Sequence, residues 1–415
     1  MEAQKMDDQK GKEFIGKNEI LAIGLLIFLT IIIFSPILNN IIIKKPLVGY
    51  RFHIQFAQQV ASGEKRLDSS THFLYQLLVV LTWVLIPGSN FYVSGFVVIL
   101  ICFIFTSIII YMVIRPSPGD ISSFRDKTPY VWLTLAAIIV TPITLFFWDG
   151  TLPSLRLGYI INSNDYNNPT NLLLKPLALL LFFYAVKIFN DQLGSRIKKG
   201  VVISAVCITV LSTIAKPSYI ICLLPALGLM VLIRLFRKQP INWLLMIVGI
   251  VLPAVVILIW QFFLRFSGDP NSIAIQANIV FAPFAVISAK SSQLFPKFIL
   301  SILFPLSVYI LYFKYSKKNL YLNLAWLSFL VGTFYAYFLA EAGGTGRISL
   351  AGNFFWCAQI TSFILFVVSL RFFLKTGSKI KILKVKEKSN GRFTFCAVIF
   401  SLHLISSFIL MGSYL

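Results

Sequence analysis

Fifteen carboxylates and three histidines are thinly spread through a 415-residue chain made mostly of apolar runs, so chemistry is to be sought where they gather with lysine and arginine. Three stretches qualify. The first, GYRFHIQFAQQVASGEKRLDSSTHF at 49–73, holds Arg51, His53, Glu64, Asp68 and His72. The second, at 148–176, is rich in Asn and Gly and carries Asp149, Arg156, Asp165 and Lys175. The third, AEAGGTGRISLAGNFFW at 340–356, sets Glu341 and Arg347 on either side of Gly343, Gly344 and Gly346, with Asn353 following.

An ionised carboxylate can accept the proton of an attacking hydroxyl, which makes Asp68, Asp149 and Glu341 the candidate bases. Lys175, Lys216 and Arg347 are the candidate clamp for an anionic group such as a phosphate, because fixed positive charge stabilises negative charge that develops on a leaving oxygen. His53 and His72 suit the orienting of an acceptor or a phosphate, or else bond to backbone or lipid. Asp165 and Asn353 add polar contacts for a substrate. Competing readings accompany each. Lys175 and Lys216 each precede a proline near a span end, where a lysine can snorkel to the interface, and Glu341 and Arg347 can simply pair with each other. Asn168-Pro169-Thr170 reads as a turn that starts a helix with Pro at an early position.

The elements that position these residues are membrane spans. The chain is 58% hydrophobic, 15% aromatic and 13% charged, with a mean hydropathy of +0.83, against about 25% charged in an ordinary soluble domain. That composition excludes a soluble globular enzyme, a disordered chain and a disulfide scaffold. The +22 charge reflects 37 Lys and Arg against 15 acids. These cations sit in short clusters between apolar runs, as cytoplasmic loops require, and no nucleic-acid partner is expected. Cys102, Cys207, Cys222, Cys357 and Cys396 all lie in apolar runs without metal-ligand spacing, so neither metal nor cofactor is expected.

The reading is all-α: a polytopic transmembrane helix bundle of 11 or 12 spans, one domain over 1–415. Candidate spans are 20–43, 92–114, 129–148, 170–189, 200–215, 218–235, 241–263, 297–313, 320–339, 352–373 and 394–412. The short run 73–87 reads as a re-entrant element, and Lys216-Pro217 interrupts 200–235. Residues 1–19 form a cytoplasmic tail. The segment 374–393, with seven basic residues against Glu387, forms a basic cytoplasmic loop. In the first outer loop, 44–72, Phe52, Phe56 and Val60 recur at helical spacing and indicate an amphipathic helix at the outer interface. This places the protein in the inner (cytoplasmic) membrane with its N-terminus inside.

This layout resembles the membrane glycosyltransferases of the GT-C superfold, and in size it is similar to bacterial or phage O-antigen glucosyltransferases. The shared features are the inside N-terminus, a first span followed by a long outer loop with an interfacial helix, and polar outer ends on later spans. The resemblance implies transfer of a sugar from a polyprenyl-phosphate-linked donor to a saccharide or lipid-linked acceptor on the outer face, with membrane lipid as surroundings. The chain departs from that family in one respect. The family usually places a catalytic acid early in the first outer loop, whereas 44–63 contains none. Either the base sits later in the loop, or Asp149 or Glu341 takes the role, or the activity differs. The alternatives are an O-antigen polymerase or ligase and a lipid or polysaccharide transporter.

Overall fold

The computed structural model describes residues 16–116, 123–140, 146–147, 156–157, 166, 168–189, 197–266, 278–290, 294–342, 347–348, 354–382, 388–412 and 414–415. Long apolar runs dictate helix here, because inside a bilayer every backbone N–H and C=O must be satisfied within the segment. The protein is an all-α, polytopic transmembrane bundle. Among the described residues seven helices are long and apolar enough to cross a membrane, and a pair bent by 63°, Leu294–Ser301 and Leu303–Leu311, forms a broken span or a re-entrant loop. The eleven expected spans also included 129–148, whose described part belongs to the helix Phe124–Val140, and 200–215 and 218–235, which form the shorter apolar helices Lys199–Ala215 and Ile220–Phe236; the run that would make a twelfth, 73–87, forms Leu74–Leu85. Twelve residues at about 1.5 Å each reach ~18 Å, well short of a ~30 Å hydrocarbon core, so Leu74–Leu85 does not cross.

The helices that frame the polar residues are α1 (Lys17–Leu38, carried on by a π-helical turn Asn39–Lys44), α2 (Val48–Ala61), α3 (Leu74–Leu85), α4 (Phe91–Ile114) and α5 (Phe124–Val140). They continue with α6 (Pro169–Lys187), α7 (Lys199–Ala215), α8 (Ile220–Phe236) and α9 (Leu252–Phe266). Short helices α10 (Ala285–Lys290), α11 (Leu294–Ser301), α12 (Leu303–Leu311) and α13 (Phe313–Ser316) lead to α14 (Leu320–Phe338), α15 (Phe355–Ile382) and α16 (Lys388–Gly412). Helix α15 runs well into the basic segment 374–393, and α16 begins inside it, so the described part of that segment is helical.

Two antiparallel ribbons, for which hydropathy gave no signal, join the helices: β1 (Phe146–Phe147) with β2 (Arg156–Leu157), and β3 (Asn278–Phe281) with β4 (Leu339–Ala342).

The bundle has two chemically distinct ends. Helix α1 carries Glu19 in its first turn, and α4 finishes next to Arg115. Glu19 pairs with Arg115 at 2.7 Å and with Lys127, so the start of α1 and the finish of α4 share one end. Helix α2 and the start of α4 lie at the other.

Helix α2 is amphipathic, but its buried stripe is Tyr50, Ile54 and Ala57, with Phe56 beside it. Phe52 is 63% exposed. The expected Phe52–Phe56–Val60 stripe therefore runs along the edge of the buried face, not its centre.

Helix α15 is the axis of the bundle: 89% of its most apolar window is buried. It packs closely on α14 because Gly332 carries no side chain there. A Cβ at that position would lie 2.8 Å from the Cys357 carbonyl oxygen and 2.5 Å from Thr361 Oγ1. Small residues let membrane helices approach to backbone contact. Gly332→Ala is expected to destabilise the protein by about 1–3 kcal/mol through overpacking. Thermal unfolding in detergent checks this, and an unchanged midpoint would mean that the two helices are not in backbone contact at this point.

Candidate functional site

Two local sequence devices build the site at the α2 end. Asn168 caps α6, its Oδ1 accepting from Asn171 N at 3.1 Å and from Thr170 Oγ1 at 2.7 Å, with Pro169 at the first helical position. The missing N–H of a proline costs nothing there, so the turn fixes where Thr170, Asn171 and Lys175 point. The second device is Pro217. A residue before proline is pushed out of the helical region, and Lys216 is extended at φ −171°, ψ 129°, ending α7. Released from the helix, its ammonium reaches Thr170 Oγ1 at 3.4 Å and sits 4.5 Å from the centre of the Trp356 ring.

Lys175-Pro176 behaves differently. Helix α6 carries through Pro176, so Lys175 stays helical. Its ammonium lies 5.4 Å from the Phe363 ring centre. It also lines a cavity of about 10 Å³, room for about one water. Cys102, Phe103, Thr106, Ile138 and Leu172 complete the lining along with Phe363.

Lys216 is 4% exposed and Lys175 is 7% exposed. A snorkelling lysine keeps its head in water, and these two do not. Between them, Asn171 Nδ2 approaches Gln359 Oε1 at 3.5 Å. Trp356, Gln359 and Phe363 are one and two turns apart on α15, so a polar ladder follows the α6–α15 contact. The rings under the two lysines are separated by seven residues, ~10 Å along the helix. The lysines therefore serve different depths and do not converge on one group.

Helix α2 adds His53. Its Nδ1 lies 2.9 Å from the Gln76 side-chain amide on α3, and its ring meets Tyr75 edge-on with centres 6.0 Å apart. Gln261 of α9 ties the neighbourhood together, Nε2 donating to Thr71 O at 2.7 Å and to Thr213 O at 2.9 Å, one turn before Lys216. His72 Nδ1 is 2.9 Å from Thr71 Oγ1.

The other expected site residues are placed elsewhere or lie outside the described residues. Asp68, in the 3-10 turn Leu67–Ser69, is held by Arg66 through Nε to Oδ1 at 3.1 Å and Nη2 to Oδ2 at 2.7 Å, on an exposed surface. Glu341 lies on β4 opposite Ile279, half-buried between the buried Ala340 and Ala342. Arg347 is exposed. Asp149, Asp165 and Asn353 lie outside the described residues. Among the described residues no group of three or more His, Cys, Asp or Glu comes together as a metal site would require.

Burial pushes the His53 imidazole down from 6.5 to about 3, and the nearby charge of Lys216 adds to the effect. The folded value lies below the unfolded one, so the unfolded chain binds more protons between the two. The stability this group contributes is fully present above about pH 6.5 and is lost as pH falls toward 3. Thermal unfolding of wild type is expected to fall more steeply from pH 7 to pH 5 than that of His53→Gln. Equal slopes would mean that His53 is solvated.

Sequence reasoning missed Gln76, Thr170, Gln261, Trp356 and Gln359. Gln261 carried a usable signal, a lone amide near the end of a 20-residue apolar span, since polar groups at membrane depth are costly and usually have a task. Fold and site together define an all-α polytopic membrane protein with buried cations and aromatic rings at one end of its bundle. No family model, no curated protein and no solved structure matches the chain.

Proposed function

We propose that this is a membrane glycosyltransferase that moves a sugar from a polyprenyl-phosphate donor to a saccharide or lipid-linked acceptor at the outer face of the inner membrane, with its N-terminus in the cytoplasm. The observation that carries the reading is Lys216: a buried ammonium, 4% exposed, set between a hydroxyl and an indole at the bundle end beside an amphipathic helix. A lipid-borne phosphate entering sideways from the bilayer reaches such a charge without crossing water. The Thr170 hydroxyl can donate to a phosphate oxygen, and an indole face suits the apolar face of a sugar ring. As the bond to the anomeric carbon breaks, negative charge grows on the phosphate, and a pre-positioned ammonium in a water-poor site stabilises it. Inversion at the anomeric carbon needs one base and no covalent nucleophile. Asp68, Asp149 and Glu341 are the carboxylates assigned to the outer side for that role, and Arg347 a second cation there.

A second reading, a lipid or polysaccharide transporter, is favoured by Lys175, which lines a small cavity within the bundle. One experiment separates them. The purified protein in proteoliposomes is given polyprenyl-phosphate hexoses and a soluble oligosaccharide acceptor. Transfer of the hexose to the acceptor is the expected result. Movement of the donor between leaflets without transfer would overturn the enzyme reading in favour of transport.

A further inference from the structure

The backbone of the α2–α3 corner determines which ring nitrogen of His53 carries hydrogen. One end of the Gln76 side-chain amide lies 3.0 Å from the His72 carbonyl oxygen and 3.3 Å from that of Phe73. Carbonyls only accept, so the group facing them is the NH₂. The Gln76 oxygen then faces His53 Nδ1 at 2.9 Å, and an amide oxygen also only accepts. Nδ1 is therefore the protonated nitrogen, and in the neutral ring Nε2 is left with a free lone pair.

We propose that Gln76 is a positioning residue that holds His53 as the Nδ1–H tautomer, and that His53 Nε2 is the base that takes the acceptor's proton. The assignment rests on the glycosyl-transfer reading. It gives His53 the role for which Asp68, Asp149 and Glu341 are the carboxylate candidates, and it does so in a stretch, 44–63, that contains no carboxylate.

The step balances. The acceptor oxygen forms the new bond to the anomeric carbon and gives its proton to Nε2. The anomeric carbon–phosphate oxygen bond breaks, and the electron pair leaves with the polyprenyl phosphate. His53, now an imidazolium that donates from Nδ1 to Gln76, passes the proton to the departing phosphate or to water and returns to neutral. The charge of Lys216 disfavours that imidazolium in the empty protein. A phosphate bound at Lys216 offsets that charge and so raises the proton affinity of His53, while burial, the larger cause, still holds it below the ordinary imidazole value.

The test uses the full chain in nanodiscs with ¹⁵N-labelled histidine, the His53 signals being assigned by their loss in His53→Gln. The expected spectrum shows Nδ1 protonated and Nε2 unprotonated at pH 7, and a tautomer mixture in Gln76→Leu. An Nε2–H tautomer in wild type would overturn the proposal. In transfer assays with polyprenyl-phosphate hexoses, His53→Gln is expected to lose ~10²–10⁴-fold in rate while binding of polyprenyl phosphate alone stays within about twofold. Gln76→Glu, which keeps the acceptor and adds charge, is expected to retain transfer and move the acid limb of the pH–rate profile to higher pH. A merely structural Gln76 would not move that limb. Full transfer by His53→Gln would refute the base while leaving the glycosyltransferase standing. No transfer by wild type from any of these donors would refute the glycosyltransferase, and the base with it.

Discussion

Lys216→Gln is expected to weaken binding of polyprenyl phosphate by about 10-fold or more while the protein stays folded. The magnitude follows from the loss of one charge-assisted contact in a buried site, about 1.5–3 kcal/mol, which is ~10–150-fold in affinity. Lys216 is the residue to test because its position is imposed: Pro217 forces it out of α7, and the ammonium then lies between Thr170 and Trp356. Lys216→Arg keeps the charge but brings a planar fork in place of a compact ammonium, so partial recovery is expected. Lys175→Gln is the internal comparison. Its ring partner, Phe363, is two turns further along α15 than Trp356, so a smaller loss is expected there. Binding measured with a fluorescent polyprenyl phosphate in nanodiscs decides the matter. Equal affinity in wild type, Lys216→Gln and Lys175→Gln would remove the lysines from donor recognition and leave them as packing groups.

At the opposite end, Glu19→Gln is expected to destabilise the fold by about 3–5 kcal/mol, the range for removing one partner of a buried charge cluster. Glu19 is 3% exposed and joins Arg115, which follows α4, to Lys127 of α5. Its removal leaves two cations facing each other in a site with little water. The cost belongs to the orphaned charges more than to the lost attraction, so a variant with Glu19, Arg115 and Lys127 all replaced by Met is expected to recover much of the loss. Thermal unfolding in detergent reads both variants. An unchanged midpoint for Glu19→Gln would show that this end of the bundle is hydrated. Failure of the triple variant to recover would assign the loss to packing of the Glu19 side chain.

The membrane class, the helical fold and several breaks were legible in the residues. Hydropathy fixes spans because an unsatisfied backbone group in hydrocarbon costs several kcal/mol, which leaves helix as the solution for a long apolar run. Proline and asparagine chemistry is equally local. The break at Lys216-Pro217 and the start of α6 at Asn168-Pro169 were both readable, because they depend on φ restriction and a cap, not on distant contacts. Length was less informative. Runs such as 200–215 and 218–235 look like spans by composition but form 17-residue helices, and only the fold fixes where each ends.

What the tertiary structure decided is which polar groups meet. The order of the chain separates His53, Thr170, Lys216 and Trp356 by more than three hundred residues, and no periodicity links them. Their meeting depends on how α2, α6, α7 and α15 pack. The sequence marked His53 and Lys216 as residues of interest by type. It gave no means of seeing that Gln76 would set the tautomer of one or that Thr170 would face the other. Lys175 and Lys216 stand before prolines in the same way, yet one stays in its helix and the other leaves. Pro176 is the eighth of the nineteen residues of α6, and the helix carries through it, whereas Pro217 falls where α7 ends and the chain turns into α8. Local chemistry thus determined that this protein lies in a membrane and where its helices are interrupted, and helix packing alone decided which cation stands next to which ring, because that choice depends on contacts between residues the chain keeps far apart.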